Sequence, residues 1–240
     1  MHLLAVSPHL DDAVFSAGGT LWEHAKAGDR VTVLTCFTGN VADPQGFALA
    51  CQLDKGLPPE VDYMALRRAE DERACAAIGA EAVHLPLLEA PHRGYGSPAA
   101  LFGERLASDG VLPDLVTALE RTRADLAPEH IFAPYGIGHH VDHLLVREAV
   151  EAVFANLPIT WWEDYPYAMR EAAAPPDIAR RPLSAEAAER KLAATLAYES
   201  QLGFQFGGAV EAAVALAGWR VEGFSQAKAT ASGRSTPQLP

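Results

Sequence analysis

Short apolar runs separated by polar turns dominate the first two thirds of the chain. Residues 3–7, 31–37, 82–87 and 130–134 are apolar and each leads into a turn or polar loop, which predicts four buried strands. Helical spacing fills the gaps between them. Val14, Gly18, Leu21 and Ala25 share one face of a first helix that Gly28 can end in a left-handed conformation. Asp62 is placed to cap a second helix with Ala74, Ala77 and Ile78 inward and Gly79 at its end. Leu112, Leu115, Val116 and Leu119 mark a third, and Val146, Val150, Val153, Phe154 and Leu157 a fourth.

Strands alternating with helices imply right-handed crossovers, so the predicted fold class is α/β: a Rossmann-like three-layer αβα sandwich around a mostly parallel sheet. Ligands bind such sheets beyond the carboxyl ends of the strands, which singles out the loops after Ser7, Phe37, Leu87 and Pro134. Residues 38–62 and 88–111 are long, Gly-, Pro- and Asp-rich connections, a length that predicts a functional role, and with residues 163–167 they are expected to wall a pocket. Residues 159–162 read as a fifth strand with Trp161 and Trp162 in the core, residues 184–202 as a late helix, and residues 219–224 as an extra strand. Residues 1–224 are expected to form a single domain. The Ser-, Thr-, Gly-, Ala- and Gln-rich stretch 225–240 has little to bury and reads as a flexible tail. There is no internal repeat.

With 240 residues, 49% of them hydrophobic and 21% charged, the composition fits one soluble domain. The net charge of −12 disfavours nucleic acid as a partner. The opening apolar run is too short for a membrane span or signal peptide. Cys36, Cys51 and Cys75 are odd in number and unpaired by spacing, so neither a disulfide framework nor a zinc knuckle is indicated and a reducing cytoplasm fits best. Self-association is compatible with the sequence and not specified by it.

Two clusters carry chemistry. Directly after the first strand come His9, Asp11 and Asp12; after the fourth, a glycine-rich loop delivers His139, His140, Asp142 and His143. An Asp before a helix can be only a cap, and a lone surface His means little, but capping does not account for His9 together with two carboxylates. Two such clusters at one sheet edge can supply the ligands of a hydrolytic metal site. Catalytic zinc takes three His or carboxylate ligands and leaves a position open for water. The histidines favour zinc, with iron or manganese next, over magnesium or calcium.

The element Pro8-His9-Leu10-Asp11-Asp12, the Arg67-Arg68-x-Glu70 helix ending at Ile78-Gly79, and His140-Val141-Asp142-His143 resemble the PIG-L or LmbE-like de-N-acetylases, as does Glu163-Asp164-Tyr165-Pro166-Tyr167. The resemblance implies zinc-dependent hydrolysis of an N-acyl group, usually acetyl, from a small polar molecule such as an amino sugar, a sugar-linked thiol conjugate or a secondary-metabolite intermediate. It implies that His9, Asp12 and His143 bind metal, that Asp11 is the general base, and that His140, its ring held by Asp142, stabilises the intermediate or protonates the amine. Leu10 stands where the family has proline, with a proline at Pro8 instead, a change that touches loop geometry and not a functional side chain.

Other residues are weaker candidates. Arg68 or Arg67 could reach substrate, although the charges from Arg67 to Arg73 read most simply as a solvated helix face. Glu163, Asp164 and His92 are further candidates for substrate contact. Two competing readings are a nucleotide-binding module and a non-catalytic sugar-binding relative. The first is disfavoured because Ala17-Gly18-Gly19-Thr20 lacks GxGxxG spacing, the second because Asp11 is retained.

Overall fold

A computed structural model describes residues 1–169 and 175–227. In chain order the strands are β1 (His2–Ser7), β2 (Arg30–Thr35), β3 (Glu81–His84), β4 (His130–Pro134), β5 (Ile159–Trp162), β6 (Ala179–Pro182) and β7 (Val221–Ala227). The helices are α1 (Asp12–Lys26), α2 (Gly46–Leu53), α3 (Tyr63–Ala77), α4 (Pro98–Leu101), α5 (Val111–Leu126), α6 (Val141–Phe154), α7 (Ala185–Leu196), α8 (Glu199–Phe206) and α9 (Ala209–Gly218). Short 3-10 turns occupy Ala90–Arg93 and Tyr167–Met169.

The strands form one sheet in the order β3-β2-β1-β4-β5-β7-β6. The first five are parallel, and β7 runs antiparallel to both β5 and β6. Along β1, side chains alternate between two cores. Leu3 and Ala5 join the cluster that includes Val14, Ala74 and Tyr198, whereas Leu4 and Val6 join the cluster that includes Leu115, Val146 and Val150. This is the two-residue period of a strand covered on both faces. Helices α1, α3 and α7 therefore pack on one face, and α5 and α6 on the other.

From β1 the chain crosses to β2 on one side and later returns to β4 on the other. The order reverses at β1 and β4, so their carboxyl ends flank a crevice, the usual ligand position in an open α/β sheet. Both chemically unusual clusters lie on the loops bordering that crevice.

The Gly18-Gly19 run lies inside α1, and its environment explains it without a nucleotide. A β-carbon on Gly19 would come within 2.7 Å of the Leu183 side chain. The Gly19 and Thr20 N–H groups donate to Glu222, whose carboxylate is also paired with buried Lys191 at 2.8 Å. This satisfied buried network fastens α1 to β7.

The later part of the chain departs from the sequence expectations. The helix expected over 184–202 is two helices, because Tyr198 turns inward to donate to Asp71 at 2.6 Å while Glu70 accepts from the backbone and hydroxyl of Ser200. Gly207, in a left-handed conformation at φ 89°, then ends α8 and lets α9 begin. The boundary drawn at residue 224 falls inside β7, where Ser225 and Gln226 pair with Trp161 and Thr160. Residues 225–227 therefore belong to the sheet, and the rest of the expected tail lies outside the described residues. The connections 38–62 and 88–111 contain α2, the Ala90–Arg93 turn and α4.

Candidate metal centre

At the end of β1, Ser7 Oγ donates to the carbonyl of His9 at 2.8 Å and accepts the N–H of Ala13 at 3.1 Å, so one hydroxyl ties the loop to the start of α1. Asp11 occupies the N-cap position, but its side chain caps nothing. Asp12 accepts the backbone N–H of His9 at 2.9 Å. The purely capping explanation of these carboxylates therefore fails.

Across the crevice, the loop after β4 is shaped by Asp164, whose Oδ2 accepts the N–H groups of Gly136 and Ile137 at 2.7 and 2.9 Å. Gly138, at φ 82°, leaves room that a β-carbon would take away, since it would sit 3.0 Å from Cβ of Tyr167. The loop delivers His140 as the N-cap of α6 and His143 into the helix's first turn.

The two loops meet at Asp12. Its Oδ2 lies 3.1 Å from His9 Nδ1 and 3.2 Å from His143 Nε2. The remaining nitrogen of each ring rests on another carboxylate, His9 Nε2 on Asp142 at 2.9 Å and His143 Nδ1 on Asp164 at 2.7 Å. Each imidazole is thus held from behind, with a nitrogen turned toward a common point beside Asp12. His143 Nε2 is buried and has no hydrogen-bond partner. A ring nitrogen turned to a carboxylate outside good hydrogen-bond geometry, with a second carboxylate fixing the opposite nitrogen, is the arrangement of a metal-ligating histidine.

Among the described residues two trios place ligand atoms within 4.8 Å of one another: His9, Asp12 and His143, and His9, His140 and Asp142. The second is already spent on hydrogen bonds. Asp142 is fully buried and accepts from His9 Nε2, from the N–H of Ala90 at 3.0 Å and from Arg93 at 2.6 Å. The first trio suits a divalent cation.

Electrostatics separate the roles further. Burial alone would lower both imidazoles, but the carboxylates prevail: His9, beside Asp12 and Asp142, is raised well above its ordinary value, and His143, beside Asp12 and Asp164, to about 9. Burial would raise Asp12, yet His143 and His9 hold it well below the carboxylate range. Asp142 is likewise held low, against burial, by the hydrogen bond and charge of His9. Asp11 behaves differently. Burial and the adjacent Asp12 charge push it up to about 7, with Arg67 pulling the other way from 3.7 Å. Burial, reinforced by the charge of His9, pulls His140 down to about 3, and its Nδ1 accepts the N–H of Asp142 at 3.2 Å. His140 is therefore a neutral ring whose Nε2 carries the proton.

Of these groups His9, Asp11, Asp12, Arg67 and His140 line a cavity of about 400 Å³, with His143 and Asp142 buried behind them. Residues from both long connections and Tyr167 line it, as does His92. Several expectations need correction. The arginine at the site is Arg67, which bonds Glu89 at 2.5 Å and the carbonyl of Leu10 at 3.2 Å, whereas Arg68 turns to the carbonyl of Thr38 and the side chain of Asn40. Arg67, Glu70 and Asp71 are buried, so they form no solvated face, whereas Glu72 and Arg73 of the same stretch are exposed as expected. Glu163 is buried and paired with Arg180, and Asp164 holds His143; neither lines the cavity. The carboxylate of Asp142 rests on His9, while His140 is held by the backbone N–H of Asp142. Sequence reasoning missed Arg93, which pins Asp142 and is itself held by Asp109, and it missed the contribution of α8 through Gln201, Phe204 and Gln205. No feature of the sequence marks Arg93 apart from its place in a long connection.

Among the described residues no helix is long and apolar enough to cross a membrane.

Residues 4–154 match the PIG-L family profile, described as GlcNAc-PI de-N-acetylase. The 2'-N-acetylparomamine deacetylase of Streptomyces fradiae is 36% identical over 168 residues, covering 69% of this chain and 57% of that protein. The 1D-myo-inositol 2-acetamido-2-deoxy-alpha-D-glucopyranoside deacetylase of Rhodococcus erythropolis is 32% identical over 162 residues, 62% of this chain and 53% of its own. This chain thus spans little more than half the length of these relatives. Among solved structures, a deacetylase of the teicoplanin biosynthesis pathway superposes with a TM-score of 0.83 at 26% identity, covering 94% of this chain and 97% of that one. The A40926 pseudoaglycone deacetylase Dbv21 superposes with a TM-score of 0.78 at 27% identity, covering 96% and 98%.

Proposed function

The chain belongs to the PIG-L family of de-N-acetylases, and from that premise we propose that it is a zinc-dependent hydrolase removing an N-acyl group, most simply acetyl, from an amino sugar within a small molecule. The observation that carries this reading is the shared approach of His9 Nδ1 and His143 Nε2 to one oxygen of Asp12, beside a buried carboxyl, Asp11, poised near neutrality. The deacetylase names of the relatives, and the sugar-based names among them, support the same substrate class.

His9, Asp12 and His143 would hold the metal, and two imidazoles with one carboxylate suit zinc. When bound, such an ion supplies Lewis acidity, polarising the amide carbonyl and acidifying water. The protein's own groups supply the rest. Asp11, with a pKa near 7, is matched to accepting a proton from the attacking water at neutral pH. The fixed Nε2–H of His140 is a donor suited to the oxyanion of the tetrahedral intermediate. A ring whose pKa lies near 3 is neutral at working pH and has no spare proton to give. Protonation of the departing amine therefore falls to Asp11, which holds a proton after the first step. Arg67, beside Asp11, keeps its carboxyl from rising beyond the useful range.

The test is acetate release. Protein reconstituted with one zinc per chain is expected to liberate acetate from N-acetylated amino sugars, and His143→Ala is expected to lose both the metal and the activity. Full activity in metal-stripped protein would end this reading.

A further inference from the structure

All three nitrogens of the Arg93 guanidinium are bonded, yet Arg93 does not line the catalytic cavity; with Asp109 it lines a separate one of about 350 Å³. Nε and Nη2 grip the two oxygens of Asp109 at 3.1 and 3.0 Å, Nη1 donates to the carbonyl of Leu88 at 2.6 Å, and Nη2 also donates to Asp142 at 2.6 Å. Local structure sets up the last contact. Residues Ala90–Arg93 form a 3-10 turn, in which positions three apart fall on the same side, so the Ala90 N–H and the Arg93 side chain reach one carboxylate. Tyr95, fully buried, donates its hydroxyl to Asp109 at 2.9 Å and closes the clamp.

Two parts of the active site hang on that guanidinium. On the metal side, Asp142 carries His9 Nε2 at 2.9 Å, and the buried Phe37 ring lies 4.8 Å from the guanidinium and 6.3 Å from the His9 ring. On the base side, the carbonyl that Arg93 holds belongs to Leu88, and the next residue, Glu89, bonds Arg67, which stands 3.7 Å from Asp11. His9 and Asp11 are thus tied by separate routes to one anchor.

We propose that Arg93 is a positioning residue. Through Asp142 and Leu88 it sets the register of the metal ligand His9 against the Glu89–Arg67 pair beside Asp11, so metal affinity and turnover both depend on a side chain that touches neither metal nor substrate. The proposal rests on the metal-dependent deacetylation reading above. The geometry calls for arginine: a lysine ammonium is a point charge and does not span Asp109, Asp142 and Leu88 at once, whereas the planar guanidinium fork does. Asp109 grips the fork from behind. Its hydrogen bonds run to Arg93, Tyr95 and the N–H of Val111 and not to Asp142, so it acts on the metal site through Arg93.

Zinc affinity, read by competition with a chelator, and acetate release from N-acetylglucosamine are to be measured on Arg93→Ala, Arg93→Lys, Asp109→Asn and the double variant Arg93→Ala/Asp109→Asn. Arg93→Ala is expected to weaken zinc binding ~10-fold and to lower kcat by a similar factor with KM little changed, the lower end of the effect of losing support behind a metal ligand. Arg93→Lys should recover part of both losses. Asp109→Asn should show a smaller loss of the same kind, and it should add nothing once Arg93 is gone, because residues acting through one contact are not additive. Unchanged zinc affinity in Arg93→Ala with KM alone raised would make Arg93 a prop for the cavity-lining loop and overturn the proposal. An Asp109→Asn effect that persists undiminished beside Arg93→Ala would overturn it too. Should Arg93→Ala fail to fold, Asp109→Asn decides alone: weaker zinc binding supports the proposal and unchanged binding ends it. Zinc affinity that depends on Arg93 in a protein releasing no acetate from N-acetylated amino sugars would sink the deacetylation reading and leave the positioning role standing.

Discussion

Asp164 accepts the Nδ1–H of His143 at 2.7 Å, and this contact decides which face of the imidazole is available. With Nδ1 committed to Asp164, Nε2 is the nitrogen turned toward Asp12, where it carries a proton in the metal-free protein and would offer its lone pair to a metal. The same Asp164 carboxylate gathers the N–H groups of Gly136 and Ile137, so the residue that sets the tautomer also shapes the loop that carries His143.

Asp164→Asn should therefore weaken the metal site without removing any ligand. One of its two oxygens becomes an N–H₂ group that cannot accept from the ring or from the loop backbone. Metal affinity is expected to fall ~10- to 100-fold, the usual effect of losing a carboxylate behind a ligating histidine. Competition with a chelator of known affinity measures it, and unchanged affinity would show that Asp164 serves the fold alone.

Asp11→Asn should keep the metal and lose the reaction, because an amide does not accept the water's proton. In the parent protein kcat/KM is expected to fall as pH drops below about 7, where Asp11 becomes protonated. Arg67 lowers the Asp11 pKa, so Arg67→Gln should move that acidic limb to higher pH. The substitution also leaves buried Asp11 and partly buried Glu89 without their cation, and stability should fall by ~3 kcal/mol. A pH–rate profile on the fraction that remains folded separates the two effects.

His140→Ala is expected to lower kcat by ~10² to 10³ with metal content unchanged, the scale for deleting one oxyanion donor. His140→Gln, which retains an N–H donor, should recover part of the loss. Because His140 is already neutral at working pH, neither variant should remove the acidic limb. Loss of that limb in His140→Ala would assign the base role to the wrong residue.

The inner parallel strands were legible because they are buried on both faces and appear as continuous apolar runs, as in Leu3, Leu4, Ala5 and Val6. Strand β6, with the sequence Ala179-Arg180-Arg181-Pro182 at the sheet's edge, carries no such signal. The two clusters at the site were legible because their chemistry is concentrated in a few consecutive positions. Arg67, Glu70 and Asp71 were misread for the converse reason. Their spacing matches a solvated helix face, while the partners that bury them, Glu89, Ser200 and Tyr198, come from segments far along the chain. Local spacing carries no information about such partners, and the same limit hid the support that Arg93 gives to Asp142.

Before the protein takes up metal, a proton occupies the position of the ion. In the metal-free protein the carboxylates of Asp12 and Asp164 raise His143 from 6.5 to about 9 against the effect of burial. A histidine raised on folding stabilises the folded state fully below its unfolded pKa, and that contribution is lost as pH rises through the folded value. The window is therefore pH 6.5 to 9, and the rise corresponds to ~3 kcal/mol. The interaction with Asp12 is the same one seen from its partner and is counted once; His9, also raised, adds a change of the same sign. Metal binding has the opposite pH dependence, because the ion must displace the His143 proton, so affinity should rise ~10-fold per pH unit for each proton displaced below pH 9. The Tm of metal-free protein should thus fall across this window while the increment from chelator-buffered zinc grows. In His143→Ala the part of the metal-free slope due to His143 should disappear. A metal-free Tm that is flat from pH 6.5 to 9, or a slope that is the same in His143→Ala, would show that the proton on His143 does not stand in for the metal.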